Sequence, residues 1–590
     1  MTIFATGPSR PIKRILIANR GEIAIRVIRA CRDEGMASIA IYSDADRDSV
    51  FVRMADEAYP LQGDRPDETY LNIARIIEIA RKSNADAIHP GYGFLSERSE
   101  FAQAVVDAGM IWIGPDPEVI EKLGDKIEAR RIAEAVGAPL VAGTPGPVRT
   151  AAEAMEFARE HGLPIAIKAA FGGGGRGMKV AWRLEEVEEL FESATREALT
   201  AFGRGECFIE QFLDRPRHVE AQILADKHGT VKVIGTRDCS LQRRNQKLLE
   251  EAPAPFLTDA QRERIHRSAR EICAHVGYSG AGTVEYLLSA SGTVSFLEVN
   301  TRLQVEHPVT EETSGVDLVR GMIRVAQGAR LVDDTVPPVR GHAIEFRINA
   351  EDPARGFLPT PGPIESFEPP SGPGIRLDSG VVSGSTVSGH YDSLIAKLIV
   401  TGATRDEALE RAQRALAEFK VSGISTVLPF HRAVIAQDDF RARNDAFRVH
   451  TRWIETEFAE ALEKAVAPHP RVMPAKPEKF LTFAIELDGK RHELGIPARL
   501  VSASSAISPN PALKPETDQV DDTVLAAPIS GSLTEWRCQD GDEVEKGQVV
   551  AVMEAMKMET RVEAHRTGRI SHAAGAGDVL SFGAALARIA

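Results

Sequence analysis

Apolar positions along this chain follow two rhythms that alternate from the first residues. Arg14 to Asn19 (RILIAN) is a short apolar run with strand chemistry, and RGEIAIRVIRACRDEG behind it repeats apolar residues at helical spacing. ASIAIYS and ADAIHPGYG are two more short strands with helical stretches between them, which predicts an open α/β unit over residues 1–115. Residues 116–325 mix helices with longer strand pairs. Over 335–455, strand-like HAIEFRINAED and DSLIAKLIV precede a helix, RDEALERAQRALAEFK, and read as a third lobe closing on the second.

The pattern then breaks. AVAPHPRVMPAKPEK is proline-rich, and residues 502–522 are rich in Ser and Pro with no apolar period, so 456–522 reads as linker. Inside it FLTFAIELDGKRHELGI predicts a hairpin turning at Asp488-Gly489, within 480–500. The tether after it would span roughly 25 Å as a flexible coil. Residues 523–590 carry an internal repeat: Gly531 matches Gly568, Gly541-Asp542 matches Gly577-Asp578 and Gly547 matches Gly583, an offset of 36 to 37 residues. Two such short-strand units predict a small quasi-symmetric β-barrel, with Glu554 to Glu559 on a hairpin between the halves.

Composition adds boundaries. At 590 residues the chain is too long for one core. A formal charge of -14 argues against nucleic acid or an anionic membrane as main partner, and no apolar run approaches a bilayer span. Five scattered cysteines, with no Cys-x-x-Cys, fit a reducing compartment. With no secretory or transit signal at the N-terminus, the expectation is cytoplasmic.

Candidate chemistry lies in three places. Pro164 to Ala170 is an apolar strand containing Lys168, followed by a glycine run (Gly172, Gly173, Gly174, Gly175, Gly177) and the strand MKVAW. Glycine backbone can approach phosphate and point N–H groups at it. No Gly-Lys-Ser/Thr follows, so this is not a Walker loop. In GTVEYLLSASGTVSFLEVN, a two-residue loop at Ser291-Gly292 would set Ala290 against Thr293 and Glu285 against Glu298. Directly opposed carboxylates repel unless neutralised, and with Asn300 they offer hard oxygen ligands for Mg²⁺ or Mn²⁺. Continued alternation would put Glu298, Asn300, Arg302, Gln304 and Glu306 on one face, with Leu297, Val299, Leu303 and Val305 on the other. A wet strand face is common, but it does not require this acid–amide–base–amide–acid order beside a second acid. The third place is Glu554-Ala-Met-Lys-Met-Glu559. An exposed hairpin lysine is ordinarily a solubilising charge, yet here two methionines flank Lys557 between the repeats.

EAMKM, preceded by Ala527-Pro-Ile-Ser-Gly531, resembles the biotinyl domain of biotin-dependent carboxylases; the related lipoyl domain usually has Asp-Lys-Ala there. The strand–glycine loop–strand with Lys168, and Lys126 in LGDKIEAR, resemble the ATP-grasp fold. EVNTRLQVEHPVTE, RDCSLQRRNQK, KAAFGGGGRGM, HPGYGFLSE and GHAIEFRINAEDP resemble biotin carboxylase over roughly residues 12–455. The chain is therefore similar to acyl-CoA carboxylase alpha subunits, an α/β (α+β) multidomain class with an N-terminal domain (1–115), an ATP-grasp domain (116–325), a C-terminal lobe (335–455) and a biotinyl domain (523–590).

The resemblance implies a set of roles. Lys126, Lys168, the glycine loop, Glu210, Leu213, His218, Gln242 and Asn245 would bind ATP. Glu285, Glu298 and Asn300 would hold Mg²⁺ or Mn²⁺. Lys247, Arg302, Gln304, Val305 and Arg347 would hold bicarbonate. Glu306 would deprotonate it for attack on the γ-phosphate, giving carboxyphosphate. Arg347 would also bind biotin and stabilise the enolate of its ureido ring. Lys557 would carry the biotin, attached by a biotin protein ligase. A separate carboxyltransferase beta subunit would complete the reaction on an acyl-CoA, acetyl- or propionyl-CoA, within a larger homo-oligomeric alpha/beta complex. The family usually has Arg-Arg-His-Gln-Lys where this chain has Arg243-Arg244-Asn245-Gln246-Lys247, which bears on ATP affinity. Other readings are a carbamoyl-phosphate-type ligase, a complete pyruvate or urea carboxylase (for which the chain lacks a carboxyltransferase region) and a non-catalytic biotin carrier.

Overall fold

The computed structural model describes residues 3–4, 10–144, 146–169, 178–202, 205–332, 338–443, 447–466, 480–487, 490–497, 522–529, 531–555, 558–580 and 583–590. The first layer is a parallel sheet in the spatial order Glu57–Pro60, Ala37–Tyr42, Arg14–Ile17, Ala87–His89, Ile111–Trp112. Parallel neighbours require crossovers, which helices such as Gly21–Asp33 and Ile73–Lys82 supply. Strand order reverses between Arg14–Ile17 and Ala87–His89, so the loops after these two strands open a crevice. Asn19 closes its base, donating from Nδ2 to the carbonyls of Pro90 and Tyr92, both at 2.7 Å.

The main layer is an eight-stranded antiparallel sheet: Val294–Asn300, Gly280–Leu288, Arg217–Ala225, Val231–Arg243, Gln246–Ala252, His342–Asn349, Leu394–Gly402, Ile375–Ser379. It runs unbroken from the second region into the third, because Leu249 on Gln246–Ala252 pairs with Phe346 on His342–Asn349. The third region is thus continuous with the second through this sheet. Helix Arg405–Glu418 covers one face of the C-terminal half. Thr404 caps it by accepting from the Glu407 amide, and its stripe of Ala408, Leu409, Ala412, Ala415 and Leu416 packs on Ile344, Phe346, Ile348 and Leu398. Helix His307–Ser314 packs against the opposite face of the same strands.

A separate three-stranded sheet, Met178–Ala181, Ile165–Ala169 and Cys207–Gln211, is backed by helices Ala151–His161 and Val187–Phe202. The glycine run Gly172–Gly175 and Gly177, between two of these strands, lies outside the described residues. Phe480–Leu487 and Lys490–Pro497 pair as the expected hairpin, Leu487 facing Lys490. Residues 523–590 fold into two four-stranded sheets around a core that includes Leu533, Val550, Met553, Ile570 and Leu586. The repeat is visible in the backbone: Gly541 and Gly577 have φ of 91° and 97°, Gly547 and Gly583 88° and 81°, the left-handed turns in which glycine is favoured. Strands Val549–Ala555 and Met558–Glu563 pair until Ala555 faces Met558. Lys557 itself lies outside the described residues. Among the described residues, no helix is long and apolar enough to cross a membrane.

Candidate active site

A cleft of about 1400 Å³ separates the small sheet from the large one. Lys168 and Glu210 come to it from the small sheet, and Lys126 from the first turn of helix Lys126–Ala135. Lys168 forms an ion pair with Glu210 on the neighbouring strand. The opposite wall presents Leu213, His218, Gln242, Asn245, Lys247, Glu285, Glu298, Asn300, Arg302, Gln304, Val305 and Arg347. Of the sequence-predicted residues of this cleft that are described, Glu306 alone does not line it; its side chain is 0% exposed, behind Lys247 and Arg347.

The turn at Asn245 explains its residue type. Arg243 pairs with Gln246, and Arg244 and Asn245 between them have φ of 48° and 66°. Positive φ at both central residues is the tight hairpin turn that asparagine tolerates better than most side chains.

Glu285 and Glu298 face each other in register on Gly280–Leu288 and Val294–Asn300. The route to that pairing differs from the sequence reading. Ser289 rather than Ala290 faces Thr293 across the loop, so the loop is one residue longer than expected. A bulge at Leu297, which is 41% exposed, takes up the extra residue, and the two departures cancel at Glu285. The predicted alternation also ends early. The strand stops at Asn300, and Glu306 is the N-cap residue of helix His307–Ser314. Leu297 therefore does not share a buried face with Val299 and Leu303. The polar residues converge by chain reversal rather than by strand period.

The two opposed acids differ in how readily they ionise. Burial opposes ionisation of Glu285, but Lys247 and His218 hold its carboxyl well below the usual range. Burial and then Glu285 push Glu298 up, and no hydrogen bond or ion pair reaches its carboxylate among the described residues. Asn300 donates to Glu285 at 2.9 Å, and its Oδ1 accepts from Arg302 at 3.2 Å. An under-compensated carboxylate beside an ionised one and an amide oxygen fits a hard divalent cation. Two other clusters are close enough to chelate, His218–Glu220–Glu285 and Glu220–Cys239–Glu306. Their charge is already met by Lys247 and Arg237.

Beneath the cleft lies a buried ionic lattice. The Lys247 ammonium donates to Glu220 (2.7 Å), Glu285 (2.9 Å) and Glu306 (2.7 Å). Arg347 donates from Nε to Glu250 at 2.6 Å and from a terminal nitrogen to Glu306 at 3.0 Å. Burial works against the charge on Glu306, yet Lys247, Arg347 and Arg237 keep it far below the usual carboxylate range. His218 Nε2 sits 2.8 Å from Glu285; burial would discharge the ring, but Glu285 more than offsets this and raises its pKa. Arg302 pairs with Glu97 (2.9 Å) and donates to Gln304 (2.8 Å), while the Val305 carbonyl accepts from Lys397 (2.8 Å). Two cations that face the cleft and share one buried carboxylate can hold a small oxyanion and leave a proton acceptor behind it.

Sequence reasoning did not single out Glu220, Arg237, Glu250 or Lys397. Glu220 and Arg237 are cross-strand partners. Their complementary charge on paired strands is a signal available only once the pairing is known.

Comparison with known proteins matches four stretches of the chain. Residues 11–120 match the family described as "Biotin carboxylase, N-terminal domain", and 125–333 match "Carbamoyl-phosphate synthase L chain, ATP binding domain". Residues 345–456 match "Biotin carboxylase C-terminal domain", and 523–589 match "Biotin-requiring enzyme". The chain is 55% identical over 602 aligned positions to the biotin-dependent acyl-coenzyme A carboxylase alpha3 subunit of Mycobacterium leprae, covering 99% of this chain and 100% of that protein. It is 48% identical to the biotin carboxylase of a Nostoc species, covering 76% of this chain and 99% of that one. A solved structure, the biotin carboxylase domain dimer of Hydrogenobacter thermophilus 2-oxoglutarate carboxylase with MgADP, ADP and bicarbonate, is 43% identical. It covers 76% of this chain and 98% of that chain, with a TM-score of 0.70.

Proposed function

The chain belongs to the biotin-dependent acyl-CoA carboxylase alpha-subunit family, biotin carboxylase and biotinyl carrier in one polypeptide, and from that premise we propose how its residues perform the reaction. It is a ligase that forms a C–N bond and uses biotin, ATP and Mg²⁺. ATP lies in the cleft between the two sheets. Lys126, Lys168 and the glycine run neutralise its phosphates; Glu210, Leu213, His218, Gln242 and Asn245 place the rest of the nucleotide. Glu285, Glu298 and Asn300 would hold Mg²⁺ or Mn²⁺, which would offset phosphate charge. Lys247, Arg302, Gln304, Val305 and Arg347 bind bicarbonate. Lys247 and Arg347 draw the anion toward Glu306, which takes its proton as a bicarbonate oxygen attacks the γ-phosphate and ADP leaves, giving carboxyphosphate. Biotin, attached through Lys557, would supply the ureido nitrogen, which gives its proton to the phosphate released from carboxyphosphate and takes up the CO2 released with it. Arg347 faces the negative charge that develops on the acceptor.

The observation that carries this reading is the Lys247 ammonium within 2.9 Å of three carboxylates on the floor of a nucleotide-sized cleft beside the Glu285–Glu298 pair. The test is ATP hydrolysis by the unbiotinylated chain with bicarbonate and free biotin omitted in turn. The reading requires that both be needed; hydrolysis that ignores either, or none at all, contradicts it, the latter favouring a carrier scaffold.

The carboxylated carrier then serves a carboxyltransferase beta subunit acting on acetyl- or propionyl-CoA, in the cytoplasm, after a biotin protein ligase has modified Lys557. The domains follow 1–115, 116–325, 335–455 and 523–590, and the chain is a homo-oligomer within a larger complex with the beta subunit. The paired strands Phe480–Leu487 and Lys490–Pro497, set between linkers, support a docking role for that partner. Deleting 466–522 without loss of complex assembly would exclude this.

A further inference from the structure

A second pair of opposed acids lies under Arg347. Glu250 on Gln246–Ala252 and Glu345 on His342–Asn349 are direct antiparallel partners, and both side chains are 0% exposed. Their Cβ atoms are therefore about 5 Å apart on the same sheet face. Glu250 Oε1 accepts from Arg347, but Glu250 Oε2 and both oxygens of Glu345 find no hydrogen-bond donor among the described residues. Three buried acceptors and no donor is an arrangement that costs several kcal/mol if both acids are charged.

The nearby cations are committed elsewhere. Lys397, from the next strand, donates to the Val305 carbonyl and lies 3.3 Å from Glu22. Arg347, two residues along the same strand, is held by Glu250 and Glu306. From helix His307–Ser314, packed on this face, come Glu306 at its cap and His307, which burial keeps neutral. On the other side Glu345 meets the apolar cluster Ala252, Val309, Ala343 and Ile399. Among the described residues, Lys397 and Arg347 are the cations that act on it, and both are already paired.

We infer that Glu250 and Glu345 share one proton, carried by Glu345 and directed at Glu250 Oε2, and that Glu345 is thereby a positioning residue for Arg347. The proton satisfies two of the three orphaned oxygens and removes one of two adjacent buried charges. Arg347 then faces a single anion on that side instead of two, and keeps the guanidinium N–H groups it turns to the cleft. Burial pushes both carboxyls upward, Glu250 to about 7 and Glu345 further. The sign follows: the proton is held at neutral pH and lost as pH rises through the raised value, when a second charge would pull Arg347 inward. The role of Glu345 rests on the proposed role of Arg347; its protonation does not.

The test has two arms on the full chain. Isotope-edited infrared spectroscopy with labelled glutamate should show, at pH 8, a protonated carboxylic acid band that disappears in Glu345→Gln. An unchanged band overturns the inference, and so does the absence of any such band in the parent chain, which needs no folded variant. In free-biotin carboxylation, Glu345→Gln should stay within about twofold of the parent at pH 7.5 and move the alkaline limb to higher pH, while Glu345→Ala should lose about tenfold or more and raise the KM for bicarbonate. A glutamine variant as impaired as the alanine one, or an unmoved alkaline limb, overturns it. Absence of bicarbonate-dependent turnover in the parent chain would instead reject the functional reading, while the infrared arm still decides the shared proton.

Discussion

Replacing Glu298 with glutamine separates the repulsion between the two cleft acids from their service to a metal. Glu298 faces Glu285 in register, with burial and that neighbour raising its carboxyl and no cation paired to it among the described residues. Two unit charges about 5 Å apart at an effective dielectric of about 20 repel by about 3 kcal/mol. Glutamine, nearly isosteric, removes this repulsion and should leave the metal-free chain as stable as the parent or slightly more so. A divalent cation reverses the sign, because the second carboxylate is then a ligand. A ligand at a hundredfold excess over its dissociation constant stabilises by about 2.7 kcal/mol, which for a domain of this size raises the melting midpoint by roughly 5–10 °C. The assay is thermal denaturation with ADP alone and with ADP plus MgCl2. The parent should gain several degrees from magnesium over ADP alone. Glu298→Gln should start at or above the parent's metal-free midpoint and lose most of that increment. A variant with a lower metal-free midpoint and an undiminished magnesium increment would refute both the repulsion and the ligand assignment.

Glu306→Gln should lower bicarbonate-dependent ATP hydrolysis by about 10²- to 10⁴-fold while nucleotide binding, followed by calorimetry, changes little; equal loss of both would place Glu306 in folding rather than chemistry. Glu251 is held down to about 2 despite burial by Arg405 and His342, so its stabilisation is full above the ordinary carboxylate value near 4.5 and disappears as pH falls toward 2. Glu251→Gln should therefore cost of order 3 kcal/mol at pH 7 and converge with the parent in acid, measured by chemical denaturation at several pH values. A deficit independent of pH would contradict the ion-pair account. Asn245→His should alter the KM for ATP without changing that for bicarbonate, measured by initial rates, because the turn bears on the nucleotide wall and not on the Lys247 lattice; a change in both would contradict that division.

Local periodicity made much of this molecule legible. The apolar run RILI and the helical spacing after Gly21 are local patterns, and the first sheet forms as they imply. The carrier repeat was equally plain, because a quasi-dyad writes its glycines twice. The opposed pair Glu285–Glu298 was reached with the wrong loop and without the bulge at Leu297, two local details that hydrophobic pattern does not encode. The continuity of the eight-stranded sheet was not legible, since Leu249 meets Phe346 across a long stretch of chain and nothing near either residue marks the other. For the same reason Glu250 and Glu345 read as ordinary strand acids until the register placed them side by side. Lys247 was identified by likeness of motif, but its three carboxylate partners come from three other segments, and only the packed structure shows that they share one ammonium.

Carboxylation of biotin in the cleft and carriage of the product on Lys557 can be followed on the protein itself. The most direct measurement is ATP-dependent transfer of labelled bicarbonate carbon onto the biotinylated full-length chain, compared with Lys557→Arg. The parent chain should become labelled on the protein; the variant should not, while still carboxylating free biotin added to it. Label retained on the Lys557→Arg protein, or a parent chain that carboxylates neither itself nor free biotin, would contradict the claim.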